Sequence, residues 1–373
     1  MPNPFAGLTP VLKVLVELTD VLPATGQAVE DLVHPDQEET DDTRLSGGQV
    51  RVDTILESTD AIYRPTPPLP REERHLFRYF LDGSRTIFFI GTAMEHERAT
   101  PVQIAQMGAA ALRRDDQGQV HTLKIDRSTL LLLARQPISE AVWSQVVEAG
   151  EKAGLTVVDI GEEDQLNGKP LANEDWRNRA GGKANFKMHE MEIALASSLP
   201  PRQADEWLVV DGSVRFHGFR TLPQMIGVIK SYGKQQEYQI GRGPRARRLS
   251  LYNLLAGLPA EHRTIVFGAE ERRIAFWYVR LREQGQVEYP LMGVVKVELP
   301  NPDGEPVDSD LIDTLSRALV AERHVTSHGR DRRWHVHLYP IYLAEQVIRN
   351  GFISREVLRA AIRWPVMPPV SMS

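Results

Sequence analysis

Runs of apolar and polar residues divide the chain into candidate strands and helices. Continuous or alternating apolar runs predict strands, chiefly at residues 78–81, 87–90, 207–210, 225–229, 272–281 and 289–298. Apolar residues spaced by three and four predict helices at 139–153, 186–199, 311–321 and 354–363. Strands and helices are mixed along the chain, which predicts a mixed α/β (α+β) fold.

Other segments complete the predicted organisation. Residues 6–34 predict a helix that is broken near Pro23 and followed by a second short helix, and 35–44 form an acidic, apolar-poor loop. Residues 101–112 suit a short helix or an irregular strand, and residues 334–340 alternate like a strand. The proline-rich stretch 65–70 suggests a boundary, so the predicted units are 1–70, 71–350 and 351–373.

Two apolar segments end in the same Asp-Gly-Ser triplet, at Asp82 and at Asp211. Asp-Gly is a common hairpin signal, so the first copy predicts a strand, a turn and a second strand over residues 78–91. Two strands of one sheet that each present an aspartate beside a glycine also suit a metal-dependent phosphodiesterase. The residues alone leave both interpretations open.

A third carboxylate lies on the predicted helix between these aspartates. On a helical projection of residues 186–199, Glu192 falls about 20° from the edge of the apolar stripe, whereas Glu190 points to the opposite side. A carboxylate at a core-facing edge is costly unless something pairs with it. A metal ion is one such partner, and a salt bridge or contact with water is the alternative.

Composition narrows the possible functions. The chain has 373 residues, 42% of them hydrophobic, and its net charge is −6, which argues against coating nucleic acid through bulk charge. It has no cysteine, no apolar run long enough to span a bilayer and no export signal at residues 1–5, so we expect a cytoplasmic protein with no membrane partner. A basic strip between residues 230 and 248 indicates either a phosphate-binding surface or a solvated loop. It comprises Lys230, Lys234, Arg242, Arg245, Arg247 and Arg248.

Asp82, Glu192 and Asp211 together form an all-oxygen donor set that suits Mg²⁺ or Mn²⁺. Two such ions activate water on one side of a phosphodiester and stabilise the leaving oxygen on the other. The predicted reaction is therefore phosphodiester hydrolysis, with Lys230 and Arg280 offsetting charge on the scissile phosphate. The arginines at 242–248 are expected to hold the flanking DNA backbone.

Six short segments, taken in order, resemble the NurA nucleases, namely residues 80–84, 191–192, 210–212, 226–231, 277–281 and 338–340. The resemblance runs from about residue 75 to about residue 350. It implies an RNase H-like core with a mixed central sheet flanked by helices. It also implies Mn²⁺- or Mg²⁺-dependent 5′-to-3′ exonuclease activity on DNA, accompanied by single-strand endonuclease activity. The implied assembly is a homodimer that works with a hexameric HerA-type ATPase translocase.

Carried onto this chain, the resemblance implies that Asp82, Glu192 and Asp211 bind metal and that Tyr339 is the active-site tyrosine. Glu190 is the alternative to Glu192. The family usually places a histidine about two helical turns after that tyrosine, where this chain reads Ala-Glu-Gln-Val at 344–347. His335 and His337 are the candidate substitutes for it.

Three functions are consistent with these residues. The first is a metal-dependent DNA nuclease that acts with a translocase in DNA end processing or in defence against phage. The second, motivated by the missing histidine, is a DNA-binding or adaptor subunit that keeps the fold with weakened catalysis. The third is another RNase H-like enzyme that acts on RNA.

Overall fold

The computed structural model describes residues 5, 7–24, 30–31, 54–57, 61–70, 75–161, 176–234, 237–240, 247–283, 285, 289–323 and 334–365. Within these residues the strands are β1 (Asp20–Pro23), β2 (Glu30–Asp31), β3 (Thr54–Ile55), β4 (Tyr63–Pro65), β5 (Phe77–Glu95), β6 (Arg98–Arg114), β7 (Val120–Leu133), β8 (Thr156–Asp159), β9 (Trp207–Asp211), β10 (Met225–Ile229), β11 (Glu237–Ile240), β12 (Arg247–Ser250), β13 (His262–Thr264), β14 (Phe267–Ala269), β15 (Ile274–Arg280) and β16 (Val294–Pro300). The helices are α1 (Leu8–Leu18), α2 (Glu140–Lys152), α3 (Trp176–Ser197), α4 (His217–Arg220), α5 (Leu251–Ala256), α6 (Ser309–Ala321), α7 (Tyr339–Arg349) and α8 (Arg355–Ala361), with a 3-10 turn at Trp334–Val336.

Five strands form the centre of one large sheet, in the order β7-β6-β5-β9-β10. β5, β6 and β7 are antiparallel neighbours, whereas β9 runs parallel to β5 and β10 runs parallel to β9. Numbered along the chain, this order is 3-2-1-4-5, and the second of these strands runs antiparallel to the other four. The predicted mixed α/β fold, with a central sheet flanked by helices, is confirmed.

The sheet continues beyond β10 through β16, β15 and β14 to β3. β1 and β2 pair with β5, and β4 pairs with β13, so residues before 70 supply strands to the same sheet as residues 71–350. Leu358 of α8 lies in one buried cluster with Leu8 of α1 and Phe88 of β5. Helices α1 and α8 therefore pack against the central sheet. No helix in the described segments is long and apolar enough to cross a membrane.

The first Asp-Gly-Ser triplet does not form the predicted turn. β5 continues without a break through Asp82 and Gly83, which pair with Ala110 and Ala109 of β6, and the chain reverses only at residues 96–97. β9 pairs with β5 as far as Leu81, and β6 pairs with β5 through the whole triplet, so tertiary pairing outweighs the local turn preference. The second triplet does end a strand, because β9 stops at Asp211 and Gly212 has a φ of 117°, which favours glycine.

Helices cover both faces of the central sheet. On one face, Leu195 and Ala196 of α3 pack against Leu81 of β5 and Val210 of β9. On the other face, residues of α6 and α7, including Ile341 and Ala344, pack with Phe80, Val209 and Val228. Side chains alternate between faces along a strand, so Asp82 and Asp211 share the α7 face with Phe80 and Val209.

Several predicted helices are confirmed. The helix predicted at 139–153 is α2, and its Ser139 hydroxyl accepts a hydrogen bond from the Val142 amide, as an N-cap does. The helices predicted at 186–199 and 311–321 lie in α3 and α6, and Ser354 caps α8 in the same way as Ser139 caps α2. Residues 101–112 lie in β6, which agrees with the strand alternative.

Two local predictions were wrong. Strand β1 follows α1 directly where continued helical structure was predicted, because residues 20–23 pair with the end of β5. Residues 334–340 are not a strand but a 3-10 turn followed by the start of α7. Pro340 stands in the first turn of that helix, where its fixed φ favours helix initiation and no amide donor is lost. The predicted acidic loop at 35–44 lies outside the described residues.

Candidate functional site

Asp82 and Asp211 are brought side by side on neighbouring parallel strands. The register pairs Leu81 with Val210, so the next residue on each strand is an aspartate. Adjacent strands lie about 4.8 Å apart, and both side chains point to the α7 face. Asp82 is buried, with 4% of its surface exposed, and the Asp211 side chain is 20% exposed. The fold therefore assembles two carboxylates that are 129 positions apart in the sequence.

Lys230 supplies a positive charge to these carboxylates. It directly follows β10, and its Nζ lies 2.6 Å from Oδ2 of Asp211. Burial lowers the pKa of Lys230, but Asp211, Asp82 and Glu345 outweigh this effect, and the net shift of the pKa is upward. The side chain of Lys230, a predicted DNA-binding residue, is 7% exposed, and its ammonium group lies against Asp211.

The Asp82 carboxyl lies in an environment that opposes its ionisation. Burial, followed by the repulsion of Asp211, raises the pKa of Asp82 well above its ordinary value. In the described part of the chain, no hydrogen bond reaches this carboxylate, and the Lys230 ammonium, which is bound to Asp211, offsets its charge only in part. A buried acid without a hydrogen-bonding partner is costly to keep, which is typical of a side chain held ready for a ligand.

Glu192 approaches the same region from the opposite face of the sheet. It is 1% exposed on α3, and its Oε2 lies 2.6 Å from Nδ1 of His189. Its other oxygen lies over Gly83, where a methyl group would be 2.5 Å from Oε1 of Glu192. Gly83 thus leaves the space that lets this carboxylate reach the sheet beside Asp82. Glu190, the alternative to Glu192, is half-exposed and pairs with Lys187 at 2.8 Å.

Replacing Gly83 with alanine is expected to displace Glu192. The new methyl group would also approach Cγ of Met188 at 3.0 Å, so we expect a loss of about 1–3 kcal/mol of unfolding free energy. Chemical denaturation measures this loss. The matched control is Gly182→Ala on α3, the helix that bears Glu192, where a methyl group meets nothing within 4 Å. This control is expected to raise the unfolding free energy by about 0.5–1 kcal/mol. Equal effects of both substitutions would contradict the packing of Glu192 over Gly83.

Sequence reasoning missed Glu345 as a residue of the site. Glu345 lies on α7, and its Oε1 is 2.9 Å from the Arg349 guanidinium, whose Nε is 3.1 Å from Oγ of Ser84. Ser84 is two residues after Asp82 on the same strand and therefore faces the same helix. Helical spacing could have indicated Glu345, because on a helical projection it lies about 40° from Ile341, which is buried.

Tyr339, the predicted active-site tyrosine, stands at the start of α7 and is 50% exposed. It lies about 120° around the helix from Glu345 and about 9 Å before it along the axis. His335 lies in the 3-10 turn, where its Nδ1 accepts a hydrogen bond of 3.0 Å from the Gly293 amide. His337 is buried, and its ring centroid lies 6.4 Å from that of Tyr342.

Arg280 has a structural position, which corrects its predicted role at the scissile phosphate. It is 2% exposed, and its guanidinium donates to four backbone carbonyls, those of Leu255, Leu258, Pro290 and Met292. Two of these carbonyls are at the end of α5, where a cation is favourable. Arg280 alternates with Val279, which faces α6, so Arg280 points to the other face of the sheet.

The rest of the basic strip lies around the β11–β12 ribbon. Arg248 is exposed on β12, 4.0 Å from Glu237 on the paired strand. The Lys234 ammonium lies 5.4 Å from the ring centroid of Tyr289. Arg242 and Arg245 lie outside the described residues, and Arg247 is described only as part of β12.

In the described residues, the acidic side chains of the site do not form a metal-binding cage. Among the residues that the structure describes, no three acidic or histidine side chains converge closely enough to hold a metal ion as they stand. The donor chemistry nevertheless fits Mg²⁺ or Mn²⁺, because Asp82 is buried without a hydrogen-bonding partner and Asp211 already binds a cation, the ammonium of Lys230.

The fold and these residues define a mixed α/β protein with a buried acidic centre on its central sheet. Comparison with known protein families finds none that matches the sequence, and no curated protein is significantly similar to it.

Proposed function

We propose that the chain is a metal-dependent DNA nuclease that hydrolyses phosphodiester bonds. The observation that carries this proposal is the placement of Asp82 and Asp211 side by side on two parallel strands, with Lys230 beside them. Structural charges are normally paired and hydrogen-bonded, whereas among the described residues the buried Asp82 carboxylate accepts no hydrogen bond and shares the single ammonium of Lys230 with Asp211. A divalent cation would compensate for that buried charge.

Asp82 and Asp211 would hold the metal, with Glu192 reaching the same region past Gly83. When bound, Mn²⁺ or Mg²⁺ supplies an activated water and stabilises charge on the phosphate oxygens. Lys230 moderates the mutual repulsion of the aspartates and keeps Asp211 in place. The surrounding apolar side chains of β5, β9 and β10 keep bulk water away from the buried end of the centre.

Cations near the site and on the surface suit a DNA backbone. Arg349 is half-exposed and is held by Glu345 and Ser84 close to the strand that bears Asp82, where it is placed to contact a phosphate. Arg248 is exposed on the β11–β12 ribbon and is available for phosphates farther along the strand.

The resemblance to the NurA nucleases supports the same function and suggests its context. On that basis we propose a homodimer, 5′-to-3′ exonuclease activity on DNA and a hexameric HerA-type ATPase as partner. The corresponding process is DNA end processing or defence against phage. We also propose a cytoplasmic location, which is consistent with a chain that contains no cysteine.

A digestion assay tests the proposed activity. Purified protein is incubated with end-labelled linear duplex DNA, single-stranded DNA and RNA, each in Mn²⁺, in Mg²⁺ and in chelator. We expect cleavage of DNA with either metal and none in chelator. A matched preparation of Asp211→Asn controls for contaminating nucleases and is expected to cut no more than the chelated sample. Cleavage of RNA alone would instead support an RNase H-like enzyme that acts on RNA.

The second candidate is a DNA-binding or adaptor subunit with weakened catalysis. It is favoured by the ion pair between Lys230 and Asp211 and by the absence of a ready ligand cage in the described segments. Failure of the wild type to cut any substrate, alone or with its translocase, together with retained DNA binding in a gel-shift assay, would support this candidate.

A further inference from the structure

Glu298 is a buried acid on β16 that holds the turn following Asp211. Its carboxylate accepts a hydrogen bond of 2.7 Å from Oγ of Ser213 and one of 2.8 Å from Nε of Arg215. The ammonium of Lys296, on the same strand, lies 3.2 Å from it. Ser213 and Arg215 come two and four positions after Asp211, where β9 ends, so one carboxylate fixes the backbone that leaves the site.

Glu298 lies on the side of the sheet opposite to the Asp211 carboxylate. The register pairs Glu298 with Gly227 and pairs Asp211 with Val228, the next residue along β10. Neighbouring residues of a strand point to opposite faces, so Glu298 is on the α3 face and the Asp211 side chain is on the α7 face. The influence of Glu298 on the site therefore passes through the turn.

The start of the turn is held closely against β10. The Gly212 amide donates a hydrogen bond of 2.9 Å to the carbonyl of Val228. The Gly212 carbonyl lies in the space that a methyl group on Gly227 would fill. The path of the chain after Asp211 is thus set by β10 at Gly212 and by Glu298 at the next residues.

The same turn also supports Glu192 on α3. Phe216 ends the turn, and its ring centroid lies 4.7 Å from that of His189. Nδ1 of His189 in turn lies 2.6 Å from Oε2 of Glu192. The segment from Asp211 to Phe216 therefore links two of the acids proposed to bind the metal, although they approach from different faces of the sheet.

We propose that Glu298 is a positioning residue of the acidic centre, which sets the orientation of Asp211 through Ser213 and Arg215. This inference rests on the proposed function of the site. Ligand positions must be held to within a fraction of an ångström for metal binding and catalysis, and buried partners of a ligand's own backbone or side chain provide that precision. Glu298 contributes in this way without contacting the metal or the DNA.

Glu57 offers a matched control, because it is a buried acid of the same kind outside the site. It pairs with Arg263 at 2.6 Å and accepts a hydrogen bond of 2.7 Å from Oγ of Ser309. In the described sheet, β14, β15, β16 and β10 lie between β9 and β3, the strand that Glu57 follows. Loss of either acid leaves buried cations unpaired and should lower the melting temperature. An effect on the site is expected only from the loss of Glu298.

Calorimetric titration with Mn²⁺ and steady-state cleavage of DNA by the full-length protein test the inference. Glu298→Gln is expected to weaken Mn²⁺ binding and to lower kcat by about 10- to 100-fold each, without a comparable rise in KM for DNA. Glu57→Gln should bind Mn²⁺ and cut DNA like the wild type. The stoichiometry of each titration gives the folded fraction, by which kcat is corrected. Equal Mn²⁺ affinities in the two variants would overturn the inference.

Milder variants decide the question if Glu298→Gln does not fold. Ser213→Ala removes one hydrogen bond to Glu298 and is expected to weaken Mn²⁺ binding by about fivefold. Ser213→Thr keeps the hydroxyl and should bind more tightly than Ser213→Ala. Ser309→Ala removes the corresponding hydroxyl from Glu57 and should leave Mn²⁺ binding unchanged. Equal affinities in Ser213→Ala and Ser309→Ala would contradict the role of Glu298.

The titrations also separate this inference from the proposed function. If Asp82→Asn abolishes Mn²⁺ binding and Glu298→Gln binds and cuts like the wild type, Glu298 is not a positioning residue and the proposed function stands. If the wild type binds Mn²⁺ without cutting DNA, the nuclease proposal fails and the affinities alone decide the role of Glu298. If the wild type binds neither Mn²⁺ nor Mg²⁺, both proposals fail.

Discussion

Asp82→Asn is expected to abolish DNA cleavage and, at the same time, to stabilise the fold. Cleavage should fall by more than about 100-fold, because even outer-shell partners of a bound metal contribute 10- to 100-fold. The unfolding free energy should rise by about 1–2 kcal/mol in chelator, because the amide removes a buried charge that Asp211 repels. A substitution that lowers activity and raises stability is characteristic of a functional residue whose native side chain destabilises the fold.

The gain in stability should depend on pH. The folded-state pKa of Asp82 lies above its ordinary value of 3.8, so its neutral carboxyl contributes stability that is fully present below that value. This contribution is lost as the pH rises through the folded-state pKa. The difference in unfolding free energy between Asp82→Asn and the wild type should therefore increase from its acidic limit and then level off.

Urea denaturation in chelator over a series of pH values measures this difference. Asp126→Asn is the control, because Asp126 lies on β7 with a side chain that is 43% exposed beside Lys124. This variant should show neither the loss of cleavage nor the dependence on pH. A variant of Asp82 that cuts DNA normally, or that is less stable than the wild type at every pH, would contradict the assignment of Asp82.

Lys230→Met is expected to destabilise the protein strongly when no metal is present. The substitution leaves Asp211 and Asp82 without the ammonium that balances them, and removing one partner of a buried ion pair costs about 3–5 kcal/mol. Mn²⁺ should reverse much of this loss, because a divalent cation at the aspartates replaces the missing charge. Thermal melting with chelator and with Mn²⁺ measures both effects.

The expected signature of Lys230→Met is a larger rise in melting temperature on addition of Mn²⁺ than the wild type shows. Lys152→Met is the matched control, because Lys152 pairs with Glu148 on the exposed surface of α2 and its removal should change neither measurement. An equal response of Lys230→Met and the wild type to Mn²⁺ would show that the metal does not bind at the Lys230–Asp211 pair.

Much of the fold could be predicted from periodicity. Helices with clear caps, such as α2 with Ser139 and α8 with Ser354, were predicted close to their observed bounds. The predictions that failed depended on pairing between distant segments. Asp-Gly at 82–83 resembles a turn locally, but its pairing with β6 holds it in a continuous strand, and no local pattern contains that information.

The candidate site was predicted only in part, because it too depends on contacts between distant segments. The repeated Asp-Gly-Ser triplet indicated Asp82 and Asp211. Helical spacing placed Glu192 at the core-facing edge of its helix and left a metal ion, a salt bridge or water as its partner, and the structure has it 1% exposed beside His189. The position of Glu345 near β5 depends on the packing of α7 across the sheet, which no local pattern in the sequence contains. Arg280 ends an apolar strand and follows the basic strip in sequence, but its position is set by the carbonyls at the end of α5.

Anomalous diffraction from crystals grown with Mn²⁺ tests the central claim most directly, because it locates the metal relative to the carboxylates. We predict a manganese peak within roughly 2.0–2.4 Å of carboxylate oxygens of both Asp82 and Asp211, between the distances typical of Mg²⁺ and Ca²⁺, with the Lys230 ammonium moved away from Asp211. A structure at saturating Mn²⁺ with no peak at these aspartates, and with the Lys230–Asp211 ion pair intact, would contradict the proposed metal centre.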